Sequence, residues 1–240
     1  MPRFYLADNI CVSQTITLPE SITRHIKVLR LKNDSYITLF NGQNCEYQAR
    51  LKSAGKNLWQ AFIIDKLCPQ TESPLNITLI QVISTGEKMD FTVQKATELG
   101  VNQIYPVVSQ HSNVRLSEER AIKRTRRWQE IAIASCEQCG RNTIPKIFPI
   151  QNITTALTQT PTTDIKLLLS PQGTMRLCNI EQIPKTITLL IGAEGGLSDN
   201  EELLAQQNNF LPIRLGQRIL RTETAGLATL SAIQTIWGDF

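Results

Sequence analysis

From Leu75 onward the chain alternates between two periodicities, and that alternation limits its fold more than any other feature. Residues 75–83 form an apolar run of strand length. Residues 87–99 read as a helix, with Glu87 and Asp90 early, Met89, Val93 and Ala96 on one face and Gly100 as the stop. Strand patterns recur at 101–108, 166–169, 186–191 and 212–215, and helical ones at 117–139, 198–207 and 222–237. Ser198 with Glu201 three residues on is a capping box. Strands separated by helices specify a parallel sheet covered on both faces.

The front of the chain obeys a different grammar. Residues 36–40 alternate, Asn41-Gly42 offers a hairpin turn, and Tyr47, Ala49 and Leu51 alternate on the return. A second turn over 53–57 leads into the strand 58–64. Before these, Ile22, Ile26 and Leu29 keep helical spacing, with Arg24, Lys27 and Arg30 on another face. This is a small barrel or sandwich. Residues 68–74, polar with two prolines, are the best linker, so the expected domains are 1–72 and 73–240.

With 240 residues, 41% of them hydrophobic, the chain can bury real cores, and its net charge of +4 excludes a disordered polyelectrolyte. No stretch reaches the roughly 18 apolar residues of a membrane span. The first residues lack the apolar core of a signal peptide, so a cytoplasmic location is expected. There the six cysteines stay reduced. Cys136 and Cys139 form a lone C-x-x-C with no second pair beside it and only His25 and His111 in the chain, so no metal site is expected. The charge is uneven: residues 1–72 and 73–149 each carry net +3, residues 150–240 net −2. A basic front and an acidic back suit a polyanion docking on the front.

Ligands of open α/β sheets bind at the carboxyl ends of strands. Three such ends stand out: Leu169-Ser170-Pro171-Gln172-Gly173, Ile191-Gly192-Ala193-Glu194-Gly195-Gly196, and the stretch from Leu215 to Ala225. The glycines of the second let backbone approach a ligand closely. It matches neither G-x-G-x-x-G nor a P-loop, and Glu194 stands where a phosphate would want N–H groups. A nucleoside-like ligand, neutral or cationic near Glu194, fits: S-adenosylmethionine suits the loop, while NAD and ATP do not. In the third loop Arg218, Arg221 and Glu223 surround Ile219-Leu220, which either wall an adenine pocket or seat the last helix.

The helix at 117–139 carries Arg120, Arg124 and Arg127 at i, i+4, i+7, with Lys123 and Arg126 beside them; Ile122, Ile131 and Ala134 are its expected buried side. Arg115–Arg127 holds six basic and two acidic groups; such faces are usually solvated surface, and the imbalance adds weight to phosphate contact. Glu137, Gln138 and Arg141 lie near enough to a strand end to enter a site.

Glu87-Lys88-Met89, Gln94-Lys95-Ala96-Thr97-Glu98-Leu99-Gly100-Val101, Glu137-Gln138-Cys139-Gly140-Arg141, Ile191–Gly196 and Leu220–Ala225 occur in the order found in the ribosomal RNA small subunit methyltransferase E family. His25 with Val28-Leu29-Arg30 resembles that family's amino-terminal motif. The chain departs from it at Ala193 and Gln217, where proline is usual. The resemblance spans nearly the whole chain. It implies a PUA-like β-barrel followed by a SPOUT-type α/β domain with a carboxyl-terminal trefoil knot, acting as a homodimer with the active site at the interface. It further implies methylation of uridine N3 in small-subunit ribosomal RNA with S-adenosylmethionine as donor.

Carried onto this chain, the cofactor loops are Leu169, Ser170 and Pro171; Ile191, Gly192, Glu194, Gly195 and Gly196; and Leu215, Gly216, Ile219, Leu220 and Thr224. Uridine N3 must lose a proton before it attacks, so a base or a cation steadying the uracil anion is needed. Position beside the second loop suggests that Arg221 steadies the developing negative charge and that Glu223 orients the uracil or relays the proton. The expected RNA-contacting set is Arg3, Arg24, Arg30, Arg124, Arg127 and Arg141. The rivals are a non-catalytic RNA-binding or ribosome-assembly protein, and a methyltransferase of the same fold acting on ribose 2′-oxygen or another RNA.

Overall fold

The structure, a computed structural model, describes residues 1–55, 57–112 and 117–240. Lys56 of the expected second turn and Arg115 of the basic run lie outside them. The chain divides into two compact units: Met1–Glu72 with Cys136–Ile144, and Ser73–Ser135 with Pro145–Phe240.

The first unit holds β1 (Arg3–Tyr5), β2 (Thr15–Thr17), α1 (Glu20–Val28), β3 (Tyr36–Phe40), β4 (Glu46–Gly55) and β5 (Leu58–Leu67) in one sheet of order β1-β3-β4-β5-β2. Only β1 runs parallel to its neighbour. The alternation on β4 buries Tyr47, Ala49 and Leu51, and they join Phe4, Ile37, Leu39 and Ile63 in a core completed by Ile22 and Ile26 of α1. Leu29 is not in that core: it caps α1 and is 43% exposed. The hairpin is wider than a two-residue Asn-Gly turn, since five residues separate β3 from β4, with Gly42 and Asn44 both at positive φ. The expectation of six reduced cysteines also fails. Glu46 pairs with Leu67, so residues 45 and 68, one step beyond, face each other, and a Cys45–Cys68 disulfide joins them.

The second unit is a seven-stranded sheet. Its elements are β6 (Asn76–Val82), α2 (Lys88–Glu98), β7 (Gln103–Val108), α3 (Glu118–Cys139), β8 (Lys146–Ile147), β9 (Gln151–Asn152), α4 (Ile153–Gln159), β10 (Ile165–Leu169), β11 (Thr186–Ile191), α5 (Asp199–Gln207), β12 (Phe210–Ile213) and α6 (Thr222–Trp237). The order is β12-β10-β11-β6-β7-β8, with β9 also on β7, and every pairing is parallel. One face packs Leu79, Leu167 and Leu189 against Met89, Val93, Trp128, Leu230 and Ile233; the other packs Ile80, Leu168 and Leu190 against Ala156, Leu157, Ala205 and Phe210. Burial on both faces is why these strands read as continuous apolar runs. The capping box of α5 forms as the sequence predicts.

Two expectations are corrected. The buried stripe of α3 in this unit is Trp128, Ala132 and Ser135, at i, i+4, i+7, whereas Ile122 and Ala134 are exposed. The strand expected at 212–215 occupies Phe210–Ile213, because Asn209 at φ 67 turns the chain into it and the Arg214 N–H leaves for the Met175 carbonyl. The short α4 escaped prediction: its apolar residues Ile153, Ala156 and Leu157 make a single turn among threonines of low helical propensity.

Candidate active site

Three strand-to-helix turns of the second unit meet at the carboxyl ends of β10, β11 and β12 around a cavity of about 630 Å³. Each is fixed locally. At the first, the Ser170 N–H donates to the Ile213 carbonyl and the Gly173 N–H to the Ser170 carbonyl. A Cβ at Gly173 would lie 2.6 Å from the Ile213 carbonyl carbon, so β12 can pass only behind a glycine. At the second, the Gly196 N–H donates to the Ala193 carbonyl, closing a turn with Gly196 at φ +69. Gly192 packs so closely on Gly196 that a Cβ would stand 3.2 Å from its carbonyl carbon. The third is tied to the second by the Thr222 hydroxyl, which donates to the Gly192 carbonyl and receives Gln81 Nε2 at 3.1 Å.

Of the expected cofactor residues, Leu169, Ser170, Pro171, Ile191, Gly192, Glu194, Gly196, Leu215, Gly216, Ile219 and Leu220 line this cavity. Gly195 does not; it turns outward onto His111, whose Nδ1 lies 3.2 Å from its carbonyl oxygen. Thr224 does not either. Thr222 and Ala225 present the lining face of α6, and at ~100° per residue Thr224 is carried round to the exposed side. The two readings of Ile219 part here: it is 85% exposed and seats no helix.

Arg221 caps α6 and lines the cavity; Glu223 follows in the first turn of the helix. The sequence reading missed Lys88, which organises both carboxylates. Its ammonium donates to Glu194 at 2.8 Å and stands 3.8 Å from Glu223 Oε2. The Glu194 hydrogen bond holds the Lys88 pKa above its ordinary value. Burial pushes Glu194 up, but the Lys88 bond and backbone N–H groups outweigh it and leave its pKa below the ordinary carboxylate value. Glu223 Oε2 is buried without a hydrogen-bond partner among the described residues. Lys88 lies in the quoted Glu87-Lys88-Met89 motif, but only the sheet topology, with α2 following the neighbour of β11, brings it to the glycine loop.

The basic residues separate. Arg124 and Arg127 of α3, with Arg120 and Lys123, line a second depression of the same unit. Arg24 and Arg30 are exposed in the first unit, Arg24 in an ion pair with Glu20. Arg3 and Arg141 leave the phosphate-contacting set, since both guanidiniums are sequestered. Arg3 binds Glu46 and Asn142, while Arg141, 4% exposed, grips Glu72 through Nε and Nη2. Glu137 accepts the Tyr5 N–H in the first unit and enters no site there. Burial drives the Cys136 thiol up to about 12, which suits neither a ligand nor a redox centre. No group of three or more potential metal ligands occurs among the described residues.

Apolar walls from Leu169, Ile191, Leu215 and Leu220, glycines that admit close backbone approach, and charges of both signs, Glu194 beside Lys88, Arg214, Arg218 and Arg221, make the cavity one for a nucleoside-like ligand. The comparisons agree with that class. The family model described as "RNA methyltransferase domain" matches residues 71–234, and the one described as "RNA methyltransferase PUA domain" matches 18–65. Ribosomal RNA small subunit methyltransferase E of Buchnera aphidicola (strain APS) is 35% identical over all of this chain and 95% of its own length. The crystal structure of the corresponding Neisseria gonorrhoeae enzyme, bound to S-adenosyl methionine, is 47% identical with a TM-score of 0.94, covering 100% of this chain and 99% of that one. A Legionella pneumophila structure in complex with the bound cofactor SAM is 36% identical, also with a TM-score of 0.94, over 99% and 98% of the two chains. The chain belongs to the ribosomal RNA small subunit methyltransferase E family.

Proposed function

We propose that this chain methylates N3 of a uridine in small-subunit ribosomal RNA, with S-adenosylmethionine as donor. The observation that carries the reading is the cavity itself, whose only carboxylate on the glycine loop, Glu194, is held ionised by Lys88. Ile191, Leu215 and Leu220 offer apolar contact to an adenine, and the Gly192 and Gly196 backbone allows close approach. The donor would supply an electrophilic methyl group on a sulfonium, and Glu194, paired with Lys88, is the carboxylate on its side of the cavity.

The chain's own residues then act on the nucleotide. Glu223, whose buried Oε2 has no hydrogen-bond partner among the described residues and lies 3.8 Å from the Lys88 ammonium, accepts the N3 proton of the incoming uracil. Arg221, at the cavity edge, faces the developing negative charge on the uracil oxygens. Lys88 stays protonated and fixes both carboxylates, so positioning precedes transfer.

A homodimer belongs to the same reading, because Ile219 leaves an apolar side chain in solvent at the cavity rim, where a second subunit would cover it. So do the SPOUT assignment, the trefoil knot, the domain limits 1–72 and 73–240, and a cytoplasmic site of action. No helix among the described residues is long and apolar enough to cross a membrane.

Titration calorimetry with S-adenosylmethionine and nucleoside analysis of ribosomal RNA from cells lacking the protein test the proposal. Loss of one N3-methyluridine from small-subunit RNA is expected. No donor binding would favour the non-catalytic rival, and a lost ribose methyl group the other.

A further inference from the structure

The amino end of α2 and the basic face of α3 enclose a depression of about 410 Å³ that the methyl-transfer reading does not use. Its walls include Ser84, Gly86, Arg120, Lys123, Arg124 and Arg127. Resting on the proposed function, we infer that this depression binds a backbone phosphate of the RNA strand whose uridine enters the donor cavity.

Ser84 follows the end of β6, is 2% exposed, and its hydroxyl has no hydrogen-bond partner among the described residues. A buried donor left unpaired costs about 1–3 kcal/mol, so a ligand oxygen that accepts it gains accordingly. The eleven-residue α2 starts without a side-chain cap, so its first N–H groups point where anions are favoured. Gly86, at φ +64, turns the chain there, and a Cβ on it would meet nothing within 4 Å: the space in front of the helix end is open.

Electrostatics select the kind of anion. Asp90 is spent within the wall, accepting Arg127 Nε at 2.9 Å on one oxygen and Trp128 Nε1 at 2.9 Å on the other. Arg120, Lys123 and Arg124 have no ion pair among the described residues, and Glu87 is the remaining carboxylate. Three cations against one carboxylate suit a singly charged phosphodiester better than a triphosphate. The place also suits a strand. Glu87 lines this depression while the next residue, Lys88, reaches into the donor cavity to Glu194. A strand anchored by its phosphate here has its neighbouring base at the cavity mouth.

The test uses the full chain, a transcript of small-subunit ribosomal RNA, and uridine 5′-monophosphate as the free-phosphate probe. A Lys123→Glu/Arg124→Glu double variant should lose at least about tenfold in transcript affinity and lower the salt slope by roughly one per contact removed. Ser84→Ala, which changes no charge, should lose roughly threefold to tenfold. Both should bind S-adenosylmethionine within about twofold of the unaltered chain, since none of the three residues lines that cavity. Arg126→Glu is the control, because Arg126 pairs with Glu130 outside the depression. An equal loss in Arg126→Glu would reduce the depression to part of a general basic field and overturn the inference. So would tight uridine monophosphate binding that the double variant abolishes while transcript binding survives. Methyl transfer by the unaltered chain is followed alongside. Its absence sinks the enzyme reading, whereas intact transfer with transcript affinity unchanged in both variants sinks this inference alone.

Discussion

The two depressions of the second unit are built by opposite means. The donor cavity is shaped by backbone: Gly173, Gly192 and Gly196 bring three turns into contact, and a few side chains, Lys88 and Glu194 among them, dress the result. The α3 depression is shaped by side chains, with four cations on one helix facing the bare end of another. The first should be unforgiving of added atoms and tolerant of salt, the second tolerant of added atoms and sensitive to salt. On the proposed reading, the difference divides steric precision and long-range charge between the donor and the polymer.

The largest effect should come from Glu223, the proposed proton acceptor. Glu223→Gln keeps the shape and removes the charge, so the methyl-transfer rate should fall about 100-fold or more, while S-adenosylmethionine affinity stays within about threefold. Single-turnover rates at saturating donor measure this. A rate near that of the unaltered chain would hand proton removal to another group.

Next is a steric break of the backbone-built site. Gly192→Val places atoms against Gly196 where its Cβ alone already stands at 3.2 Å. Strain of about 1–3 kcal/mol would weaken donor binding by roughly tenfold to a hundredfold, with the salt slope of RNA binding unchanged. Equal loss of RNA binding would mean that the two depressions are not independent.

How far such sites were legible in the sequence follows from the same contrast. The glycine loop is local: strand, Gly192 to Gly196 and capped helix are contiguous, so Ile191, Gly192, Glu194 and Gly196 are legible in the sequence, while Ala193 is missed and Gly195 turns outward. Lys88 is separated from Glu194 by 106 positions and from Glu223 by more, and only the adjacency of β6 and β11 joins them. Periodicity found α3 but chose Ile122 for the core, because apolar character alone does not say which stripe faces the sheet; Trp128 and Ala132 do. The arginines misled in another way. Counting charge treats Arg141 and Arg124 alike, yet one is locked on Glu72 and the other is exposed.

That distinction yields a smaller prediction. Arg141→Lys keeps the charge but cannot reproduce the two-nitrogen grip on Glu72. Stability should fall by about 1.5 kcal/mol, read as a lower denaturant midpoint, with no change in the salt slope of RNA binding. A lower slope would restore Arg141 to the phosphate-contacting set.

The smallest effect separates the two depressions by pH. Glu194 has a depressed folded pKa, so its contribution is present above the unfolded carboxylate value of about 4.3 and is lost as pH falls through the folded one. Lys88 has a raised folded pKa, so its contribution is present below about 10.4 and is lost as pH rises through the folded value. Donor affinity should therefore hold at and above the ordinary carboxylate value and weaken only as pH falls through the depressed Glu194 value. Phosphate binding by Arg120 and Arg124 should instead be weakened by salt. Lys88→Met removes the hydrogen bond that holds Glu194 down and leaves burial to push it up, so the acid limb of donor binding should move to higher pH. Calorimetry across that limb measures the displacement. An acid limb that stays in place would show that Glu194 is held ionised by the loop's backbone N–H groups and not by Lys88.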